Sequence, residues 1–253
     1  MIREMLFLEE TSSTNAYCRE HWNELEDGAV VYSTNQLKGR GRLGRTWVNA
    51  PGMALYYSEV IKQPIANASC LPLAASLAVE DALERMYGIA AQVKWPNDLL
   101  LNNKKLVGIL FEGVEGGYIF GVGINLSQSG EYFENNNLVN ATSIFAETGE
   151  KPRDIGALAL AISESFQAVL ACFSKEGFAA LRGEYRARCV NLLREVHTDK
   201  VKGVATDIDL EGRLIVRTES GETAVFTGEV TVEGIYDSPE KPIEDDVKIY
   251  HKI

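Results

Sequence analysis

Leu99-Leu100-Leu101-Asn102-Asn103-Lys104-Lys105-Leu106-Val107-Gly108-Ile109-Leu110-Phe111-Glu112 is followed, beyond Glu115-Gly116-Gly117, by Tyr118-Ile119-Phe120-Gly121-Val122-Gly123-Ile124-Asn125-Leu126. Apolar, β-branched and aromatic residues fill three short runs. The Asn-Asn and Gly-Gly pairs between them are turn formers that accept positive φ. The segment reads as an antiparallel meander. Working outward on the N-terminal side, strands are expected at Gln92 to Trp95, Met53 to Val60, Gly28 to Ser33 and Glu4 to Glu9. The cap-type run Thr11-Ser12-Ser13-Thr14-Asn15 precedes a helix over Ala16 to Leu25, and Ser69 to Gly88 has helix signals at both ends, with Ser69 as cap and Pro72 in the first turn. On the C-terminal side Glu134 to Asn137 reads as a polar loop, and Ile155 to Phe173 and Phe178 to about Arg188 as helices. After Arg194 the pattern changes to short strands, Val201 to Ile208, Arg213 to Arg217, Thr223 to Phe226 and Glu229 to Ile235, which suggests a small barrel of about 40 residues. The expected division is 1–196, 197–237 and a tail, 238–253, of no assigned role.

The chain has 253 residues, of which 45% are hydrophobic and 24% charged, with a net charge of −11. That composition suits a folded protein with one large and one small unit. The negative balance opposes nucleic acid and anionic membrane over most of the surface, so neither is expected as a partner. The run Met1 to Leu8 is too short for a signal peptide, and no apolar stretch reads as a membrane span, so a cytoplasmic location is expected. Cys18, Cys70, Cys172 and Cys189 form no Cys-x-x-Cys pair and read as reduced thiols, while His21, His197 and His251 are too scattered for a metal or triad constellation. The chemistry must use other groups.

Those groups concentrate between Lys38 and Arg45, where Lys38, Arg40, Arg42 and Arg45 interleave with Gly39, Gly41 and Gly44. Glycine lets a backbone approach an anion closely, and guanidinium groups donate forked hydrogen bonds to carboxylate or phosphate oxygens. A small anionic ligand fits this chemistry. A solvated loop or a minor nucleic-acid patch are the alternatives that the segment alone leaves open. Ordering so glycine-rich a loop costs roughly 1 to 2 kcal/mol per residue, so it is expected to be mobile until a ligand organises it.

The segments around the loop narrow the choice. Ser13-Thr14-Asn15, then Gln36-Leu37-Lys38-Gly39-Arg40-Gly41-Arg42-Leu43-Gly44-Arg45-Thr46-Trp47, then Lys94-Trp95-Pro96-Asn97-Asp98 with Lys104-Lys105-Leu106-Val107-Gly108-Ile109-Leu110, then Gly121-Val122-Gly123-Ile124-Asn125 together resemble the biotin–protein ligases, over about residues 8 to 236. The resemblance implies an α+β fold: a mixed, mostly antiparallel sheet with helices, of the class II aminoacyl-tRNA-synthetase and biotin–lipoate ligase kind, plus a small C-terminal SH3-like barrel. It implies ATP and Mg²⁺ as cofactors, biotin as substrate, and a biotin carboxyl carrier domain of a carboxylase as partner. Biotin carboxylate would attack the α-phosphate of ATP, and an acceptor lysine would then displace AMP. Neither step requires an enzyme nucleophile, and cations that neutralise developing charge should supply much of the catalysis.

By the same resemblance Arg40, Arg42, Lys105 and Asp98 are the expected catalytic groups. Biotin is expected against Ser13, Thr14, Asn15, Gln36, Gly39, Arg40, Gly41, Arg42, Trp47, Lys105, Gly108 and Gly121. ATP is expected against Arg40, Arg42, Lys94, Lys105 and Asn125, with magnesium carried by the nucleotide and no protein ligand assigned. The ureido head of biotin needs neutral polar partners, which suits Ser13, Thr14 and Gln36. Neighbours on a strand point to opposite faces, so only one of Lys104 and Lys105 should enter the site. Asp98 could orient a cation, help hold magnesium, act on the incoming amine, or merely close a turn. Trp47 could cover the apolar part of biotin or be a core residue. Gly108 and Gly121 are expected to form the ligand wall, with a bulge as the alternative. The winged-helix module of repressor-type relatives has no room before Ser13, and a homodimer is left open. A lipoate–protein ligase is the nearest competing enzyme, but its Arg-Arg pair before Gly-Gly-Gly and its nearby histidine have no match here. A non-catalytic biotin-binding regulator is the competing class.

Overall fold

The computed structural model describes residues 4–152, 154–226 and 228–235. The tail expected over 238–253 lies outside the described residues, as does Thr227. The strands are β1 (Met5–Leu8), β2 (Val30–Ser33), β3 (Gly39–Arg40), β4 (Thr46–Trp47), β5 (Ala54–Ile61), β6 (Gln92–Lys94), β7 (Asp98–Leu101), β8 (Lys104–Val114), β9 (Gly117–Asn125), β10 (Glu195–His197), β11 (Lys202–Ile208), β12 (Leu214–Thr218), β13 (Gly221–Val225) and β14 (Thr231–Val232). The helices are α1 (Thr14–Glu20), α2 (Leu71–Tyr87), α3 (Gly130–Asn135), α4 (Ile144–Thr148), α5 (Ile155–Glu176) and α6 (Ala179–Arg188).

The meander forms the heart of a seven-stranded sheet of order β1-β2-β5-β9-β8-β7-β6. Only the β1–β2 pair in it is parallel; the other pairs are antiparallel. Asn102 and Asn103, at φ 50° and 63°, make the β7–β8 turn, since a two-residue hairpin wants positive φ at both central positions. Strand β5 is buried along its whole length, which a central strand covered on both faces requires. Its odd-numbered residues Leu55, Tyr57 and Ile61 join the main core with α2 and α5, while Val60 joins a smaller core beside α1 and Tyr56 a third beside Trp47. The sheet is thus thickly covered on one face and partly open on the other.

Several boundaries differ from expectation for identifiable reasons. Helix α1 begins at Thr14 because the Ser13 side chain caps it, and it ends by Glu20. Ser69 is not the cap of α2; it sits in a short 3₁₀ turn (Ala68–Cys70) and Cys70 takes the cap position without a side-chain bond. The expected polar loop near Glu134 is partly helical, because Ser129 caps α3. Helix α5 is long and apolar enough by length and composition to cross a membrane, contrary to the expectation that no stretch is. Its buried residues Leu158, Ile162, Phe166, Leu170 and Phe173 belong to the main core.

The second sheet, of order β13-β12-β11-β10-β14, begins with β10, which the sequence pattern did not reveal. It is fastened to the larger unit through the β6–β7 turn and α6, among other contacts. The Trp95 indole N–H donates to the Gly212 carbonyl at 2.9 Å, and Arg186 Nε lies 2.8 Å from Asp207 Oδ1. Gly212 stands at φ +75°, and a Cβ there would come within 2.9 Å of Cys70 Sγ, so the turn needs glycine for both conformation and space.

Candidate active site

The open face of the first sheet carries a cavity lined by four groups of residues that are far apart in sequence. The first group is brought together by backbone pairing. Leu37 N–H donates to the Thr11 carbonyl at 2.9 Å and Lys38 N–H to Ser12 at 2.8 Å, which lays the α1 N-terminus beside Gln36. Gln36 Oε1 then accepts from the Thr14 N–H at 2.9 Å. Ser58, on β5, lies 2.8 Å from Thr14 Oγ1 and 2.6 Å from Asn15 Oδ1. The result is a neutral, hydrogen-bonding floor.

The second group is the basic segment. It is a small ribbon rather than an unstructured loop: Gly39 pairs with Trp47 and Arg40 with Thr46, Gly41 N–H donates to Arg45 at 2.7 Å, and a 3₁₀ turn over Arg42–Gly44 forms the tip. Asn49 secures its stem, accepting from the Gln36 N–H at 3.1 Å and donating to Asn35 Oδ1 at 2.9 Å. Gly39, within the ribbon, is buried against its partner strand and does not line this cavity; a Cβ there would sit 2.5 Å from the Trp47 carbonyl oxygen. The Trp47 indole lies on the sheet, where a Cβ at Gly108 would be 2.5 Å from Cζ3 and one at Gly123 would be 2.7 Å from Cε2. A Cβ at Gly121 would be 2.4 Å from Asn15 Oδ1. Gly108 and Gly121, expected in the ligand wall, line the cavity and also let the Trp47 ring and the Asn15 carboxamide lie close against the sheet. The glycines admit wall residues.

The third group is the turn between β6 and β7. Asp98 Oδ1 lies 3.0 Å from Lys105 Nζ, so Lys105 is the cation that this carboxylate orients, and Lys105 also stands over the Trp47 ring at 5.4 Å. Lys105 reaches the cavity because of a bulge. Leu99 pairs with Val107 but Leu100 with Lys105, so Leu106 is an extra residue and both Leu106 and Val107 enter the core. Strict alternation back from Gly108 would have put Lys104 on its face. Lys104 is exposed.

Arg42 donates to Asn97 Oδ1 at 2.9 Å. Its burial lowers the guanidinium pKa, while the Asp98 charge opposes that shift. A guanidinium starts so high that it stays charged. From the second sheet, Gly228, Glu229, Val230 and Thr231 complete the wall, and Glu229 pairs with Arg45. Among the described residues no group of three His, Cys, Asp or Glu side chains could hold a metal ion.

Of the residues expected in the site, Ser13, Thr14, Asn15, Gln36, Arg40, Gly41, Arg42, Trp47, Lys94, Asp98, Lys105, Gly108 and Gly121 line this one cavity. Asn125 does not; it is buried, and its Oδ1 accepts from Gln128 Nε2 at 2.8 Å. Sequence reasoning overlooked Ser58, Asn97 and the 228–231 wall. Ser58 had a signal: it is a lone small polar residue directly after an apolar and aromatic run, Ala54 to Tyr57. The wall segment had none, because its approach depends on the packing of two sheets.

A sheet-backed cavity with a neutral hydrogen-bonding floor, an aromatic side and a cluster of cations defines a protein that binds a small, partly apolar molecule and polyanionic oxygens side by side. Residues 7–129 match the biotin/lipoate A/B protein ligase family, and residues 188–234 match the biotin protein ligase C-terminal domain. The chain is 32% identical to the biotin–[acetyl-CoA-carboxylase] ligase of Paracoccus denitrificans, over 90% of this chain and 100% of that protein. It is 30% identical to the Mycobacterium tuberculosis enzyme of the same name, over 90% and 88% respectively. The biotin protein ligase of Aquifex aeolicus, solved in complex with biotin and ATP, superposes with a TM-score of 0.79 at 28% identity, covering 91% of this chain and 99% of that one. The chain belongs to the biotin protein ligase family.

Proposed function

We infer that this chain is an ATP-dependent ligase that converts biotin to biotinyl-5′-AMP and passes the biotinyl group to a lysine of a biotin carboxyl carrier domain. The observation that carries the reading is the joining, in one cavity, of the neutral floor of Thr14, Asn15 and Gln36 with the cations Arg40, Arg42 and Lys105. The floor suits a ureido ring, which needs donors and acceptors without charge. The Trp47 ring suits the apolar thiophane and valeryl parts. The carboxylate then falls toward the cations, where it meets the α-phosphate.

Bringing two anions together is the main obstacle in the first step. Arg40 and Arg42 donate forked hydrogen bonds to phosphate and carboxylate oxygens, and Lys105, aimed by Asp98, acts as a point charge on the same oxygens. Charge developing on the pentavalent phosphorus is met by groups already in place, so little reorganisation is needed. Lys94 lines the same cavity and would meet the nucleotide there. Asp98 is the carboxylate beside the cations that would help hold a magnesium ion carried on the nucleotide, which would supply charge neutralisation. In the second step the acceptor amine attacks the mixed anhydride and AMP leaves toward the same cations. The ribbon tip, Arg42 to Gly44, lies over the cavity with Arg42 held by Asn97 at 2.9 Å, so it would cover the adenylate.

Nucleic acid is no partner in this reading, and the location is cytoplasmic. Incubation with ATP, magnesium, biotin and a purified carrier domain should add one biotinyl group to the carrier, seen by intact mass. A carrier that stays unmodified under varied magnesium and pH would overturn the transfer step.

A further inference from the structure

A carboxamide can turn over, so the hydrogen-bond polarity of the cavity floor depends on what holds Asn15. Its Nδ2 donates to Glu112 Oε2 at 2.7 Å. Glu112 projects from β8, and its other oxygen lies 3.0 Å from Arg19 on α1. An ionised carboxylate can only accept, so it pins Nδ2 toward itself and turns Oδ1 toward Ser58. Ser58 has one proton and lies 2.6 Å from that Oδ1, which also can only accept. The Ser58 proton is therefore committed to Asn15, and the Thr14 hydroxyl proton goes to Ser58 at 2.8 Å in preference to Gln36 Oε1, which lies 3.3 Å away. Thr14 Oγ1 then offers lone pairs to the cavity. Gln36 Oε1 is occupied by the Thr14 N–H, which leaves Gln36 Nε2 as a donor. An acceptor beside a donor matches the N–H and C=O edge of a cyclic urea.

We propose that Glu112, through its ionised carboxylate, is a positioning residue that sets this polarity through Asn15 and Ser58 and so determines selectivity for the urea head of the substrate. The inference rests on the biotin reading of the cavity. Glu112→Gln keeps the shape but offers one oxygen to two donors. Arg19 claims that oxygen, the amide nitrogen of the introduced glutamine then faces Asn15 Nδ2, and Asn15 turns over. Ser58 then donates to Thr14, whose own proton turns to Gln36 Oε1 at 3.3 Å or to the cavity, so Thr14 Oγ1 offers one lone pair fewer to the substrate N–H.

The test measures biotin-dependent ATP–pyrophosphate exchange and biotin binding by calorimetry on the same preparations. Glu112→Gln should raise the KM and Kd for biotin about tenfold, the size expected for one mispaired buried hydrogen bond, and leave the KM for ATP and kcat within about twofold. Arg19→Ala alone should change little. Added to Glu112→Gln, it frees the glutamine oxygen for Asn15 and should restore biotin affinity to within about threefold of wild type. Unchanged biotin affinity in Glu112→Gln, an equal loss for ATP, or a double variant weaker than the single would each overturn the proposal. Ser58→Ala, which breaks the relay at another link without touching Glu112, should also weaken biotin and spare ATP; equal loss of both would count against it. Wild-type protein that neither binds biotin nor exchanges would instead overturn the biotin reading, and the inference with it.

Discussion

At Gly108 a single methyl group would have to displace a ring. The Cβ would stand 2.5 Å from Trp47 Cζ3, and an indole locked between ribbon and sheet cannot fold away as a lysine tip can. Gly108→Ala should therefore raise the KM for biotin about tenfold or more with a smaller effect on ATP, and shift the tryptophan emission; an unchanged KM would mean that the ring is not part of the biotin wall. Lys105 and Lys104 make the complementary comparison. Removing Lys105 takes away a cation aimed by Asp98, and electrostatic groups of this kind are worth about 10²–10³ in rate. Lys105→Ala should lose that much in adenylate formation, whereas Lys104→Ala should lose less than about twofold; equal losses would contradict the geometry. The sequence could name this pair but not decide it by alternation, because alternation from Gly108 picks the wrong lysine. Thr14, Gln36, Arg40, Arg42 and Trp47 were legible because their motifs are local. Glu112 was not, since its value comes from touching Asn15, ninety-seven residues away.

The bulge at Leu106 is where the element departs from the pattern that announced it. Three runs and two turn pairs were enough to foresee the β7, β8 and β9 meander, and Asn102-Asn103 does form its turn. An inserted residue leaves no mark in composition, since Leu106 and Val107 are both apolar whichever face they take. The turn itself carries a test. Asn103 sits at φ 63°, where a β-branched side chain is strained by about 1–3 kcal/mol. Asn103→Val should lower the denaturation midpoint accordingly and, by loosening the hairpin that carries the bulge, reduce adenylate formation. A variant as stable as wild type would show that the turn does not hold this register. The missed strand β10 and helices α3 and α4 are short elements whose order comes from caps and tertiary pairing rather than periodicity.

Across the whole molecule, the two sheets meet at the site. Trp95 reaches the second sheet through its indole while nearby Asn97 holds Arg42 and Asp98 holds Lys105, so the packing of the second sheet bears on the cations. The sequence showed both units but not this junction, because no local pattern encodes an indole finding the Gly212 carbonyl. The scattered thiols have a global consequence as well. Burial pushes Cys18 up to about 12 and Cys70 and Cys189 to about 11, from an ordinary value of 9.0. Groups with folded pKa values above the unfolded ones contribute stability below the unfolded value and lose it as pH rises through the folded one. The melting temperature should thus fall between about pH 9 and about pH 11, less steeply in Cys18→Ala; a flat profile would mean that the thiols are not held protonated. Activation of biotin in this cavity is read out most directly by labelled pyrophosphate exchange into ATP. Exchange that requires biotin, and that lipoate does not support, is the predicted result. Absence of exchange with biotin, or equal exchange with lipoate, would contradict it.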